Sequence, residues 1–172
     1  MNLPNKLTMA RIIMIPIFMA IMLKEYYIAA LVVFSIASVT DFFDGYLARK
    51  YNLVSSFGKI MDPLADKLLA FSALLAFIQL DVVSVWAPII IIAREFFVTS
   101  LRVVAVSKGK VIAASWWGKI KTNVQLFAII FAMLFCHFGK IEIAGILIWI
   151  AAIFTVASWI AYIFENISVF KD

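Results

Sequence analysis

The chain has 172 residues, of which 66% are hydrophobic and 15% are charged. An average soluble domain is about 45–50% apolar and about 25% charged. A water-soluble core of this size could not bury so much apolar surface, so the composition excludes a soluble globular protein and predicts one integral membrane domain over residues 1–172. The formal net charge of +5 indicates membrane orientation and not nucleic-acid binding, because cytoplasmic loops collect Lys and Arg.

Apolar runs predict an all-α bundle of six transmembrane helices. A helix needs about 20 residues to span a bilayer, and the chain is long enough for six such helices with short connections. The first run has the basic start of a signal peptide but lacks its small-residue cleavage pattern, so we expect a retained helix. In chain order the runs are Leu7–Leu23, Ile28–Val39, Leu68–Leu80, Val82–Ala93, Val124–His137 and Ile143–Phe164.

The distribution of charge predicts the orientation of this bundle. With the amino terminus in the cytoplasm, Lys24 and Lys140 fall in outer loops and the other basic residues fall on the inner side. The outer loops also carry the acidic residues Glu25, Asp81 and Glu142. Because Lys and Arg accumulate in cytoplasmic loops, we expect both chain termini to lie in the cytoplasm.

Four of the predicted helices carry charge at a similar depth. Asp41, Asp66, Arg94 and Lys121 each lie about 18–24 Å from the outer end of their helix, at a rise of about 1.5 Å per residue. The hydrocarbon core is about 30 Å thick, so these charges fall within its cytoplasmic half. Charge at that depth is costly unless it lines a wet cavity. We therefore expect a polar active-site cavity that opens to the cytoplasm.

Two pairs of Asp residues carry the strongest chemical signal. Asp41 and Asp44 are three residues apart and Asp62 and Asp66 are four apart, so each pair shares one face of a helix. Four carboxylates at one depth repel each other, and hard divalent cations with oxygen ligands relieve that repulsion. Two such ions can bind the attacking and the leaving oxygens of a displacement at phosphorus.

Residues around the two pairs also favour phosphate chemistry. Gly45 and Gly58 let a ligand approach the backbone closely, and the guanidinium of Arg49 can bind phosphate through two hydrogen bonds. Pro63 is expected in the first turn of the third helix, where its missing N–H costs nothing. The glycines could instead be helix-packing residues, and two acidic pairs also occur in ion or proton transporters. Spacing alone therefore favours a metal-dependent enzyme and leaves a small transporter as the alternative.

The segment from Asp41 to Asp66 resembles the signature of the CDP-alcohol phosphatidyltransferase family. That signature is D-x-x-D-G-x-x-A-R, eight further residues and G-x-x-x-D-x-x-x-D, and every fixed position is present. The resemblance implies a homodimer and two divalent cations, Mg²⁺ or Mn²⁺. It implies that Asp66 also deprotonates the acceptor hydroxyl. The implied metal ligands are Asp41, Asp44, Asp62 and Asp66, and the implied CDP-lipid site consists of Asn5, Thr8, Gly45, Ala48, Arg49 and Gly58.

A group of basic residues near the expected cavity predicts an anionic acceptor. Neutral inositol or zwitterionic serine needs no such group, whereas a phosphomonoester is bound by charge-assisted hydrogen bonds. The segments that carry these residues, together with Pro4–Arg11, resemble the family branch that makes phosphatidylglycerophosphate. The expected substrates are CDP-diacylglycerol and glycerol 3-phosphate, with inositol phosphate or phosphatidylglycerol as the alternative acceptor, and Glu95 is expected to pair with a nearby cation. The predicted acceptor-phosphate ligands are Arg94, Arg102, Lys119 and Lys121.

Overall fold

The computed structural model describes residues 3–50, 56–107, 109 and 115–166. Within these ranges the chain forms six helices joined by short connections, and the predicted all-α architecture is confirmed. The helices are α1 (Leu3–Met22), α2 (Tyr27–Lys50), α3 (Ser56–Gln79), α4 (Trp86–Ser107), α5 (Trp116–His137) and α6 (Ile141–Glu165).

Three helices of the described part of the chain are long and apolar enough to cross a membrane, namely α1 over Asn5–Met22, α5 and α6. The chain is therefore a membrane protein. In α2 the apolar stretch is shorter and ends at Thr40, because the charged residues of this helix follow it. α3 carries its charged residues before Leu68, and α4 carries them from Arg94 onward. The charged parts of α2, α3 and α4 thus interrupt the apolar pattern where chemistry is expected.

The helices pack most extensively in the pairs α5–α6 and α1–α2. The main core contains the fully buried aromatic residues Phe18, Phe34 and Phe77, and the rings of Phe18 and Phe34 lie 5.7 Å apart. A second apolar cluster, which includes Val98 and Tyr162, joins α4 to α6. α4 is thus held against the bundle mainly by α6, and this arrangement leaves space between α4, α3 and the start of α5.

The prediction for Pro63 is wrong. α3 begins at Ser56, so Pro63 lies inside the helix and not in its first turn. Proline has no N–H to donate to the carbonyl of Lys59, and an interior proline costs a helix about 3 kcal/mol. The packing of α3 against α1, which includes a hydrogen bond from Thr8 to Asp62, offsets that cost. Tertiary contacts therefore extend α3 beyond the point at which local preferences would start it.

Gly145 allows α6 to approach the connection between α3 and α4. A Cβ atom at this position would lie 2.6 Å from the carbonyl oxygen of Val82, and a backbone oxygen cannot move away without shifting the connection. We expect Gly145→Ala to destabilise the protein, since overpacking of this kind costs about 1–3 kcal/mol. The measurement is the thermal unfolding midpoint in detergent.

Gly118→Ala is the matched control for this substitution. A Cβ atom at Gly118 would lie 3.5 Å from Ser115 Oγ and 3.7 Å from Arg94 Nη2, which are ordinary van der Waals distances. This variant should keep the parent midpoint. Equal midpoints for the two variants would contradict the tight packing at Gly145.

Candidate active site

α3 presents two of the predicted carboxylates one helical turn apart. Asp66 is exposed and lines a cavity of about 340 Å³. Asp62 is half-buried, and its Oδ1 accepts a hydrogen bond from the hydroxyl of Thr8 on α1. The structure therefore orients Asp62 from a neighbouring helix and places Asp66 at the wall of the cavity.

The other predicted residues of the signature are placed as follows. Gly58 is buried near the start of α3. The remaining five lie in the carboxyl-terminal half of α2, and their side chains are outside the described part of the structure: Asp41, Asp44, Gly45, Ala48 and Arg49.

The described donors fit a hard divalent cation. Asp62 and Asp66 offer carboxylate oxygens on one face of a helix, the ligand type that Mg²⁺ prefers, and Asp66 borders a cavity with room for ligands. Among the described side chains no cluster of three or more His, Cys, Asp or Glu residues occurs. The predicted four-carboxylate site includes Asp41 and Asp44, which lie outside that set.

The amino-terminal turns of α1 form a buried polar stripe next to these carboxylates. Asn5 and Thr8 are both buried, and Arg11 is only 1% exposed. Arg11 Nε donates to the carbonyl of Ala37 on α2 at 3.2 Å, one helical turn before Asp41. Sequence alone does not separate Arg11 from a membrane anchor, but an anchor would be exposed. Its burial places it in the polar interior next to these carboxylates.

The four predicted acceptor residues lie around two neighbouring cavities. Lys121 lines the cavity that contains Asp66. Arg94, Arg102 and Lys119 line a second cavity of about 470 Å³. The two cavities share wall residues from three helices, and they are Lys67, Glu95, Thr122 and Asn123.

Glu95 pairs with nearby cations, as the sequence predicted. Its Oε1 accepts hydrogen bonds from Lys121 Nζ at 2.6 Å and from Arg94 Nη1 at 3.0 Å. Its Oε2 lies 3.8 Å from Lys67 Nζ. One carboxylate thus interacts with cations from three different helices.

The predicted acceptor cations differ in accessibility. Arg94 and Lys121 are buried, and Arg94 Nη2 also donates to Ser158 Oγ on α6 at 2.9 Å. Arg102 and Lys119 are exposed; Arg102 lies over the ring of Tyr162, and Lys119 over that of Trp116. The buried pair forms the wall of the site, and the exposed pair lies where a ligand can reach it.

Sequence reasoning missed two contributors to this wall. Lys67 donates a hydrogen bond to the hydroxyl of Thr99 on α4 and forms an ion pair with Glu95. Ser158 supplies a hydroxyl from α6, a helix without charge across most of its length. Lys67 directly follows Asp66 in the sequence, and this position could have predicted that it lies at the site. No local pattern marks Ser158, because its partner Arg94 is 64 residues away in the chain.

Paired carboxylates beside cation-lined cavities in a helical membrane protein are the features expected of an enzyme that acts on phosphate esters. A sequence model of the CDP-alcohol phosphatidyltransferase family matches residues 1–157. The chain belongs to this family, and the prediction made from the Asp41–Asp66 signature is confirmed.

Relatives with a more specific name align over nearly the whole chain. The CDP-diacylglycerol–glycerol-3-phosphate 3-phosphatidyltransferase of Bacillus subtilis (strain 168) is 45% identical over 96% of this chain and 95% of the relative. The protein of the same name from Rickettsia typhi is 40% identical over 94% of each chain. The probable phosphatidylglycerophosphate synthase of Mycobacterium tuberculosis (strain H37Rv) is 38% identical over 94% of this chain and 80% of the relative.

Proposed function

We propose that the chain transfers the phosphatidyl group of CDP-diacylglycerol to sn-glycerol 3-phosphate, giving phosphatidylglycerophosphate and CMP. The observation that carries this proposal is the cavity lined by Arg94, Arg102 and Lys119 next to the cavity that contains Asp66. Arg and Lys bind phosphate through strong charge-assisted hydrogen bonds. The names of the relatives from B. subtilis and R. typhi support the same donor and acceptor.

In this reaction the acceptor hydroxyl attacks the phosphorus atom that carries the diacylglycerol. A new oxygen–phosphorus bond forms, the pyrophosphate bond breaks and CMP leaves with its electron pair. Asp66 takes the proton of the hydroxyl, in keeping with its exposed position at the cavity. The cation-lined cavity holds the phosphate of the acceptor and so places the attacking hydroxyl near Asp66.

Two divalent cations, Mg²⁺ or Mn²⁺, complete this site in the proposal. Bound to Asp41, Asp44, Asp62 and Asp66, they would supply positive charge to the pyrophosphate oxygens of the donor. The Thr8 hydroxyl holds the Asp62 carboxylate in one orientation.

The donor site is proposed to lie between the ends of α1, α2 and α3. The burial of Asn5, Thr8 and Gly58 supports a preformed surface there. Its proposed residues are Asn5, Thr8, Gly45, Ala48, Arg49 and Gly58.

All six helices are proposed to cross the membrane, with both termini and the active site on the cytoplasmic side. This arrangement keeps the charged parts of α2, α3 and α4 on one side together with the start of α5. It leaves Lys24 and Lys140 as the basic residues of the outer loops, as cytoplasmic enrichment of Lys and Arg requires. A homodimer is proposed from the family resemblance.

The test of the proposed function is a panel of acceptors offered to the purified protein with CDP-diacylglycerol and a divalent cation. We expect mass spectrometry to find phosphatidylglycerophosphate and CMP as the main products. Free glycerol should have a kcat/KM about ten- to a hundredfold lower than glycerol 3-phosphate, because each lost charge-assisted contact costs about 1.5–3 kcal/mol. An equal kcat/KM for glycerol would contradict the assigned role of the basic cavity. If the main product is formed from inositol phosphate or phosphatidylglycerol, that compound is the acceptor, and the proposed phosphatidyl transfer still holds.

A further inference from the structure

We propose that Glu95 is a positioning residue of the acceptor site. Its carboxylate fixes Lys67, Arg94 and Lys121 as one preorganised cationic wall for a phosphomonoester. This inference rests on the proposed function. It assigns a role in the acceptor site to a residue whose own negative charge repels the substrate phosphate. Its role is indirect: it acts through the cations that it holds.

The first observation is the location of Glu95. It borders both the cavity that contains Asp66 and the cavity that contains Arg102 and Lys119. An acceptor with its phosphate in the second cavity and its hydroxyl at Asp66 would pass along this boundary. At this boundary the carboxylate of Glu95 forms ion pairs with Lys67, Arg94 and Lys121.

The second observation is how the surrounding helices are held together. In the described part of the chain, α4 packs mainly against α6 and contacts α5 little. The hydrogen bond from Lys121 to Glu95 spans this gap. Lys67 contacts two side chains one helical turn apart on α4, Glu95 and Thr99. Glu95 therefore links α4 to α3 and to α5 at the depth of the site.

The third observation is burial. Arg94 is 5% exposed and Lys121 is 2% exposed, and a buried cation without a counter-charge is strongly unfavourable. Glu95 supplies that counter-charge, and one carboxylate shared by three cations leaves the group positive. The group can therefore stay charged at this depth and still attract an anion.

The fourth observation is unused hydrogen-bonding capacity. Arg94 lines the second cavity, yet its buried Nε has no hydrogen-bond partner within the described residues. Buried donors are normally paired. Glu95 and Ser158 therefore leave one donor of Arg94 unused.

The test compares Glu95→Gln with the parent enzyme in steady-state kinetics. The amide keeps the shape of the side chain and removes its charge, so the cations should move apart. We expect KM for glycerol 3-phosphate to rise about tenfold or more, because buried charged contacts are lost, while KM for CDP-diacylglycerol changes less than about twofold. Glu95→Asp keeps the charge and should restore part of the loss. Glu142→Gln, on the exposed first turn of α6, is the matched control and should behave like the parent.

The outcomes separate this inference from the proposed function. An unchanged KM for glycerol 3-phosphate in Glu95→Gln, or an equal rise in both KM values, would show that Glu95 has no special role in the acceptor site. If Glu95→Gln does not fold, Glu95→Asp shortens the side chain that holds the cations and should still raise KM for glycerol 3-phosphate selectively. A parent enzyme that uses an acceptor without phosphate would overturn the proposed function and this inference together.

Discussion

Replacing Asp66 with Asn is expected to lower kcat by about 10²–10⁴, the usual cost of losing a general base. The amide keeps the shape of the side chain and one oxygen ligand but cannot accept the proton of the acceptor hydroxyl. Asp66 is exposed at the wall of its cavity, so the substitution leaves the packing of α3 intact. KM for both substrates should change much less than kcat, and the unfolding midpoint should match that of the parent.

Asp62→Asn is the matched comparison, because Asp62 lies on the same helix face and is predicted to bind metal without acting as a base. Its carboxylate is oriented by Thr8, and the amide should weaken metal and CDP-lipid binding. Excess Mn²⁺ should therefore restore much of its activity and little of that of Asp66→Asn. If excess metal restores both variants equally, Asp66 is only a ligand and the base is another residue.

Removing divalent cations is expected to abolish activity. Asp41, Asp44, Asp62 and Asp66 are predicted to share two ions, and without them the carboxylates would repel the pyrophosphate of the donor. Two-metal sites stabilise both the attacking and the leaving oxygen of a displacement. Because chelation removes both effects, we expect no measurable activity without metal. The measurement is CMP release after chelation and after titration of Mg²⁺ or Mn²⁺ back into the assay.

A measurement of folding serves as the control for chelation. Thermal unfolding with and without chelator reports whether the protein stays folded when the metal is removed. Full activity in a metal-free preparation that remains folded would exclude the two-metal mechanism. Restoration by Ca²⁺ as complete as that by Mg²⁺ would argue against a site that needs the tighter octahedral geometry of the smaller ion.

The fold class, the family and the acidic pairs could be predicted from the sequence because each depends on local information. Composition shows that the apolar surface exceeds what a soluble core can bury, and apolar runs locate the helices. The spacing of Asp62 and Asp66 places both on one helix face whatever surrounds them. Their distances from the outer helix ends also predicted that Asp66, Arg94 and Lys121 lie at a similar depth. In the structure these residues line the two cavities.

The sequence did not predict which of the basic residues are buried and which are exposed. Arg94 and Arg102 are eight residues apart on one helix, yet Arg94 is buried against Glu95 and Ser158 while Arg102 is exposed. Burial depends on which neighbouring helix covers each turn. For α4 that neighbour is α6, and the sequence of α4 does not specify it.

Composition and spacing alone establish a helical membrane protein with paired carboxylates, since hydrophobicity and helical periodicity act over a few turns of chain. Only the packing of the helices decides that Thr8 reaches Asp62, 54 residues away, and that Lys121 reaches Glu95, 26 residues away. It also extends α3 through Pro63. Hydrogen bonds and ion pairs require their atoms to lie within about 3–4 Å, and for residues so distant in the chain that proximity is set by the folded bundle.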